Sequence, residues 1–133
     1  MAALDTCILV RHLVGDDPRQ TAAARRLLRS ALSSGQALFV PVTVTLELEW
    51  VLRKRYGRPK ANVIGTLSAL LSAADLSLES EGAVEGALVL YADGGAEFSD
   101  CLHLALGFAA GQTPGWTFDR AAARLPGTRL AGS

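Results

Sequence analysis

The sequence has few cysteines, no long apolar run and no excess of either charge, and each absence excludes a class of protein. Cys7 and Cys101 form no metal-ligand or redox pair by their spacing, which indicates a reducing cytoplasm. No apolar stretch approaches the roughly 20 residues of a membrane span. The first residues carry no basic segment before their apolar stretch, which includes Asp5, so we expect no secretory signal and no membrane association.

The charges balance overall but are unevenly distributed. Thirteen Lys and Arg face thirteen Asp and Glu, so no net field attracts the chain to DNA or to an anionic membrane. Residues 1–60 carry ten basic and five acidic side chains, whereas residues 61–118 carry seven acids and no Lys or Arg. This distribution fits a solvated surface with chance clustering, or a basic rim beside an acidic centre. With 133 residues, half of them apolar, we expect a single domain over residues 1–133.

Short apolar segments alternate with helical patterns along the chain. We predict strands at 1–5, 37–42, 76–79, 116–119 and 128–130. We predict helices at 6–14, 18–34, 44–56, 81–92 and 97–110, and another that begins at Pro59. Thr43 is expected to cap the third helix, and the second is expected to bury Leu27, Leu28, Ala31 and Leu32. Such alternation predicts an α/β fold of three α/β/α layers with a mainly parallel central sheet.

Two predicted strands end on an aspartate, Asp5 and Asp119. Parallel strands present their carboxyl ends at one edge of the sheet, where ligands bind. The alternative is that each aspartate caps the helical segment that follows it. Glu47 shares a predicted apolar helix face with Val44 and Val51 and is expected to be buried.

Three further acids, Glu49, Glu97 and Asp100, lie in predicted helices. Glu49 precedes Arg53 by four residues, which predicts a surface ion pair. Glu97 and Asp100 lie in the first turn of an apolar helix, where the helix dipole stabilises acids. Asp100 is the deeper of the two. His103, one turn later, is expected to be packed and hydrogen-bonded rather than catalytic.

Four grouped carboxylates do not all stay ionised without a cation. The candidates Asp5, Glu47, Asp100 and Asp119 offer only oxygen ligands, which indicate Mg2+ or Mn2+ rather than Zn2+. A metal held in this way suits phosphodiester hydrolysis, because it polarises the phosphate and lowers the pKa of a bound water.

The motifs that contain these acids resemble those of a known family. They are LDTCILVRHLVGDDP, LELEWVLRKRYG, GGAEFSDCLHLALGFAAG and TFDRAAARLPG, in this order. With them the chain resembles the PIN-domain ribonucleases, and among these the VapC-type toxins of bacterial toxin–antitoxin pairs. The resemblance implies that Asp5, Glu47, Asp100 and Asp119 are the catalytic and metal-binding acids. It also implies endonucleolytic cleavage of RNA, a homodimer and a cognate antitoxin protein.

Further residues are expected around this site. Thr117 matches a family hydroxyl that supports the acids, and Thr6 and Glu97 are expected to support them as well. Cys7 stands where the family often has Asn or Ser. Possible RNA contacts are Arg53, Lys54, Arg55, Arg58 and Arg120, although the basic cluster also complements a helix C-terminus.

Two alternatives to a nuclease follow from the same sequence. A phospho-receiver domain would need paired acids directly after its first strand and a Lys after a later one. Asp16 and Asp17 lie beyond a helical segment, and no Lys follows Lys60. The second alternative is a non-catalytic PIN-like module that binds RNA or protein. Such modules usually lack one or more of the acids, and all four are present here.

Overall fold

The computed structural model describes residues 2–132, in two compact units, Met1–Glu79 and Ser80–Ser133. The first unit contains the helices α1 (Thr6–Val14), α2 (Pro18–Ser34), α3 (Val42–Trp50) and α4 (Lys60–Leu71), the strands β1 (Leu38–Val40) and β2 (Leu76–Leu78), and a π-helical turn (Val51–Arg55). The second contains α5 (Glu81–Asp93), α6 (Phe98–Ala109), β3 (Gly115–Thr117), a 3-10 turn (Ala122–Arg124) and β4 (Thr128–Leu130). The prediction of a single domain over residues 1–133 stays a prediction.

The strands that the structure describes pair in parallel, which confirms the α/β class. In the first unit β1 pairs with β2, and a parallel bridge joins Ala3 to Phe39. The predicted first strand is thus reduced to this bridge, and its residue Met1 lies outside the described residues. In the second unit β3 pairs with β4. The hydrogen-bonded strands form two pairs, each three residues long, rather than one continuous sheet.

Helix starts follow local chemistry in α2 but not in α3. The Asp17 carboxylate caps α2 by accepting a hydrogen bond from the Gln20 N–H, and Pro18 occupies the first turn, as predicted. The cap predicted at Thr43 is wrong, because α3 begins at Val42, two residues before the predicted start at residue 44. Pro41 stands at its N-cap position and makes no side-chain capping bond.

Each unit has its own apolar core. Leu9, Val40, Leu48, Leu52, Val63 and Leu67 are almost fully buried in the first unit. The stripe of α2 that is buried consists of Thr21, Ala24, Leu28 and Ala31, so the predicted burial of Leu27 and Leu32 is wrong. In the second unit α5 packs against α6, and the rings of Tyr91 and Phe98 lie 5.4 Å apart. Among the helices of residues 2–132, none is both long and apolar enough to cross a bilayer.

Candidate functional site

In the first unit, one buried threonine connects two of the predicted site acids. Asp5 is the N-cap of α1, and its Oδ1 accepts a hydrogen bond of 2.7 Å from the Thr6 N–H. The Thr6 hydroxyl donates to Oε1 of Glu47 on α3. Thr6 is buried, while both carboxylates are exposed to solvent. The capping interpretation therefore holds for Asp5, and its second oxygen makes no hydrogen bond within residues 2–132.

The buried face of α3 is not the predicted one. Val44, Thr45, Leu48 and Glu49 are buried, whereas Glu47 is exposed. The predicted ion pair exists, with Nε of Arg53 2.7 Å from Oε2 of Glu49, but it is not a surface pair, because Glu49 is only 2% exposed. Glu47 thus points its carboxylate to solvent, where a ligand can reach it.

Glu47 lines a cavity of about 430 Å³ within the first unit. Its charged and polar lining comprises Thr6, Cys7, Arg11, Asp16, Glu47, Arg55 and Tyr56. Nη1 of Arg11 lies 3.1 Å from Oδ1 of Asp16, and the Tyr56 hydroxyl donates to Oδ2 of the same carboxylate at 3.0 Å. The hydrogen bond with Tyr56 is the main influence that raises the pKa of Arg11 above its ordinary value, and Asp16 adds to it. Arg11 therefore stays protonated, and its contact with Asp16 holds the side chain in place.

Arg55 and Tyr56 stand at the end of the π-helical turn, and both line this cavity. A π turn contains one residue more than an α turn, so the side chains that follow it change direction relative to a continued α-helix. Tyr56 closes the turn, with its N–H bonded to the Val51 carbonyl, and Gly57 follows in the left-handed conformation at φ 63°.

In the second unit, Asp100 and Thr117 line one cavity of about 200 Å³. Asp100 lies in the first turn of α6 and is half-buried. Its carboxylate makes no hydrogen bond or ion pair with any other residue in the described range. His103, one turn later, is exposed in the same cavity, so the expectation of a packed histidine is wrong. Trp116, 65% exposed, also lines this cavity, and the sequence motifs do not identify it as a site residue.

Asp119 has a different position from the one predicted. The strand β3 ends at Thr117, so Asp119 lies two residues beyond it and does not close it. Its Oδ1 accepts a hydrogen bond from the Ala122 N–H at 3.0 Å, and its own N–H donates to the Thr117 hydroxyl. Asp119 therefore caps the turn that leads into the 3-10 turn, and Thr117, which accepts its N–H, lines the cavity of Asp100. Glu97, the expected supporting acid, is exposed at the N-cap position of α6.

The expected RNA-contact residues divide into two groups. Arg53 is paired with Glu49, and Arg58 donates to the Leu13 carbonyl at 3.3 Å. Lys54, Arg55 and Arg120 are exposed and form no hydrogen bond or ion pair within the described part of the chain. These three side chains are available to an anionic ligand.

Each unit thus carries two candidate acids. In the first, Thr6 bonds both, through its N–H to Asp5 and through its hydroxyl to Glu47. In the second, the Thr117 hydroxyl accepts the Asp119 N–H, and Thr117 lines the same cavity as Asp100. Across residues 2–132 the structure forms no group of three or more His, Cys, Asp or Glu side chains that could hold a metal ion. Mg2+ does not require such a group, since it usually binds through one or two carboxylates, waters and substrate phosphates. The donors in both units are hard oxygens, and they fit Mg2+ or Mn2+.

The comparisons with known proteins give one family. The family model described as PIN domain matches residues 2–127, nearly the whole chain. A search of curated protein sequences gives no match.

Proposed function

The chain belongs to the PIN domain family, whose members are commonly nucleases and typically bind a divalent metal, and from this we propose that it is a metal-dependent endoribonuclease. The observation that supports this best is the pair of acids in each unit. Asp5 and Glu47 lie in the first unit, Asp100 and Asp119 lie in the second, and the resemblance of the motifs implies that these are the family's four acids. In the proposal these four carboxylates hold Mg2+ or Mn2+.

The chain's own residues contribute orientation. Thr6 fixes one oxygen of Glu47 and leaves the other free, and Asp5 keeps one oxygen free while it caps α1. Thr117 holds the backbone of Asp119. A bound metal ion would polarise the phosphate and lower the pKa of water. Preorganised carboxylates favour such chemistry because little motion is needed when the substrate binds.

Purified protein with Mg2+ or Mn2+ is expected to cleave RNA and to leave duplex DNA largely intact. EDTA should stop the reaction, because the metal supplies the charge stabilisation. The measurement is gel analysis of end-labelled structured RNA, duplex DNA and the same RNA with EDTA. RNA that stays intact with either metal would contradict the proposed activity and would favour the binding-module alternative.

Thr6→Val is expected to lower the rate of RNA cleavage about tenfold, a size typical of the loss of a residue that orients a metal ligand. The variant is nearly isosteric and removes only the hydroxyl that donates to Glu47. Thr6→Ser keeps a hydroxyl and should retain most of the activity. The rate should be measured over a series of Mn2+ concentrations, because misplaced ligands also weaken metal binding. Equal rates for Thr6→Val and wild type would show that this hydrogen bond does not position Glu47.

We also propose the biological setting that the motifs imply, a cytoplasmic VapC-type toxin that forms a homodimer and is blocked by a cognate antitoxin. Support comes from the four motifs in the same order as in these toxins. The neighbouring reading frame tests it, since an upstream gene for a small DNA-binding protein with a flexible tail is the expected antitoxin. Relief of growth inhibition by that protein would support the proposal.

A further inference from the structure

The cavity of the first unit has the composition of a nucleotide-binding site. Its volume, about 430 Å³, lies within the range of roughly 300–1,000 Å³ typical of small-ligand pockets. This size suits one nucleotide rather than a longer segment of RNA. Glu47, one of the proposed metal-binding acids, forms part of the wall.

Two of the four charges of the wall form an ion pair, and those of Glu47 and Arg55 form none within the described residues. Arg11 contacts Asp16 and also donates from Nε to Oε1 of Gln20 at 2.6 Å. Glu47 accepts the bond from Thr6. Arg55 is exposed in the cavity and has no hydrogen bond or ion pair to any residue from 2 to 132. Arg55 is therefore the cation of the wall that has no partner in the described range, and a phosphate is the anion that an RNA substrate offers to it. Glu47, the acid that forms no ion pair there, is a proposed metal ligand.

The aromatic residue of the wall is held in place before any ligand binds. The Tyr56 hydroxyl donates to Asp16 and lies 3.5 Å from Nη1 of Arg11, so its polar end is fixed to the connection between α1 and α2. Single-stranded RNA is commonly bound by stacking its bases on aromatic side chains. A fixed ring loses less conformational freedom on binding than a mobile one.

We propose that this cavity binds one nucleotide of the RNA, adjoining the phosphate that is cleaved. Arg55 contacts its phosphate, and the ring of Tyr56 stacks on its base. Arg11 and Asp16 act as positioning residues, since they hold the Tyr56 hydroxyl. This inference rests on the proposed nuclease function and names the substrate subsite of the same site.

The experiment is a binding titration in EDTA, which removes any dependence on metal or on cleavage. The probes are the four nucleoside 5′-monophosphates, the four nucleosides and inorganic phosphate, each at millimolar concentrations. Calorimetry measures their binding. At least one monophosphate should bind about tenfold more tightly than its nucleoside or phosphate alone, because it uses both contacts. Arg55→Gln and Tyr56→Leu should each weaken its binding about tenfold. Tyr56→Phe keeps the ring but loses the hydrogen bond with Asp16, so it should weaken binding less than Tyr56→Leu does.

Two control variants match these changes. Arg29→Gln removes an exposed positive charge on α2, and Trp50→Leu removes an exposed aromatic ring on α3. Neither residue lines the cavity, so both variants should bind the monophosphate as wild type does. No binding to wild type, unchanged binding by Arg55→Gln and Tyr56→Leu, or equal losses in Tyr56→Phe and Tyr56→Leu would each overturn the proposal.

The two proposals fail in different experiments. Asp5→Asn should lose RNA cleavage yet bind the monophosphate normally in EDTA. If wild type cleaves RNA but binds no monophosphate, the nucleotide site is wrong and the nuclease function stands. If the monophosphate binds as expected but no RNA is cleaved, the binding site stands as a ligand pocket and its role beside a cleaved phosphate is overturned.

Discussion

Asp5→Asn and Asp100→Asn are each expected to lower the rate of RNA cleavage at least about a hundredfold. In the proposed site both side chains are direct metal ligands, and even residues that only orient such ligands cost 10–100-fold when replaced. The substitution removes one negative charge at nearly constant volume, so metal binding weakens and the attacking water loses its position. The measurement is the cleavage rate of a labelled structured RNA, with thermal melts to show that the variants are folded.

Both variants should fold, for different reasons. Asparagine is as good an N-cap as aspartate, so α1 keeps its start in Asp5→Asn. Asp100 makes no hydrogen bond within residues 2–132, so its replacement breaks none there. Asp93→Asn, an exposed acid at the end of α5, is the matched control and should cleave RNA like wild type. Undiminished cleavage by Asp5→Asn and Asp100→Asn would show that the site lies elsewhere.

The order of helices and strands could be predicted because its signals are local. Asp17 and Pro18 start α2, and Gly35 ends it in the left-handed conformation at φ 71°. The break between α5 and α6 includes Gly94 and Gly95 and lies between the helices predicted at 81–92 and 97–110. Strand lengths were less predictable, because each strand is only three residues long and its ends depend on pairing with a distant segment.

The orientation of α3 could not be predicted from its pattern. Thr and Glu alternate with apolar residues around the whole helix, so no side is clearly apolar. The spacing that groups Glu47 with Val44 and Val51 therefore does not identify the buried face. Packing decides instead, and it buries Glu49 together with Arg53, whose charge compensates it. The exposed position of Glu47 is the more useful one for a metal ligand.

The contacts around the candidate acids join residues that are far apart in sequence. The hydrogen bond from Thr6 to Glu47 joins residues 41 positions apart in the sequence, and the bond from Tyr56 to Asp16 joins residues 40 positions apart. No local motif predicts either contact. The aspartates themselves could be found because helix starts and strand ends are local signals, although Asp119 lies two residues beyond its strand. His103 follows Asp100 by three residues, which places both on one helix face. This spacing does not tell whether that face is exposed, and the structure exposes His103.

Mg2+ is expected to stabilise the wild-type protein, and this effect separates a metal site from a set of helix caps. Binding to the folded state alone contributes about 2.7 kcal/mol to the free energy of unfolding at a hundredfold excess over Kd. In EDTA, Asp5→Ala and Asp119→Ala should each lose about 1 kcal/mol, since both carboxylates cap a helical turn. Asp100→Asn should unfold at the wild-type temperature or above, because it removes a half-buried charge that has no partner in the described structure. Its gain in stability with Mg2+ should shrink.

Asp17→Ala is the control that separates the loss of a helix cap from the loss of a metal ligand. Asp17 caps α2 and is not among the proposed ligands, so its loss should cost about 1 kcal/mol in EDTA and leave the Mg2+-dependent gain at its wild-type size. The measurement is urea denaturation of all the variants at several Mg2+ concentrations. Asp5→Ala and Asp119→Ala should differ from Asp17→Ala only in their weaker response to Mg2+, since all three lose a cap but only two lose a ligand. A wild-type stability that does not change with Mg2+ would mean that Asp5 and Asp119 serve as caps alone in the protein without RNA, and it would contradict a metal site formed before the substrate binds.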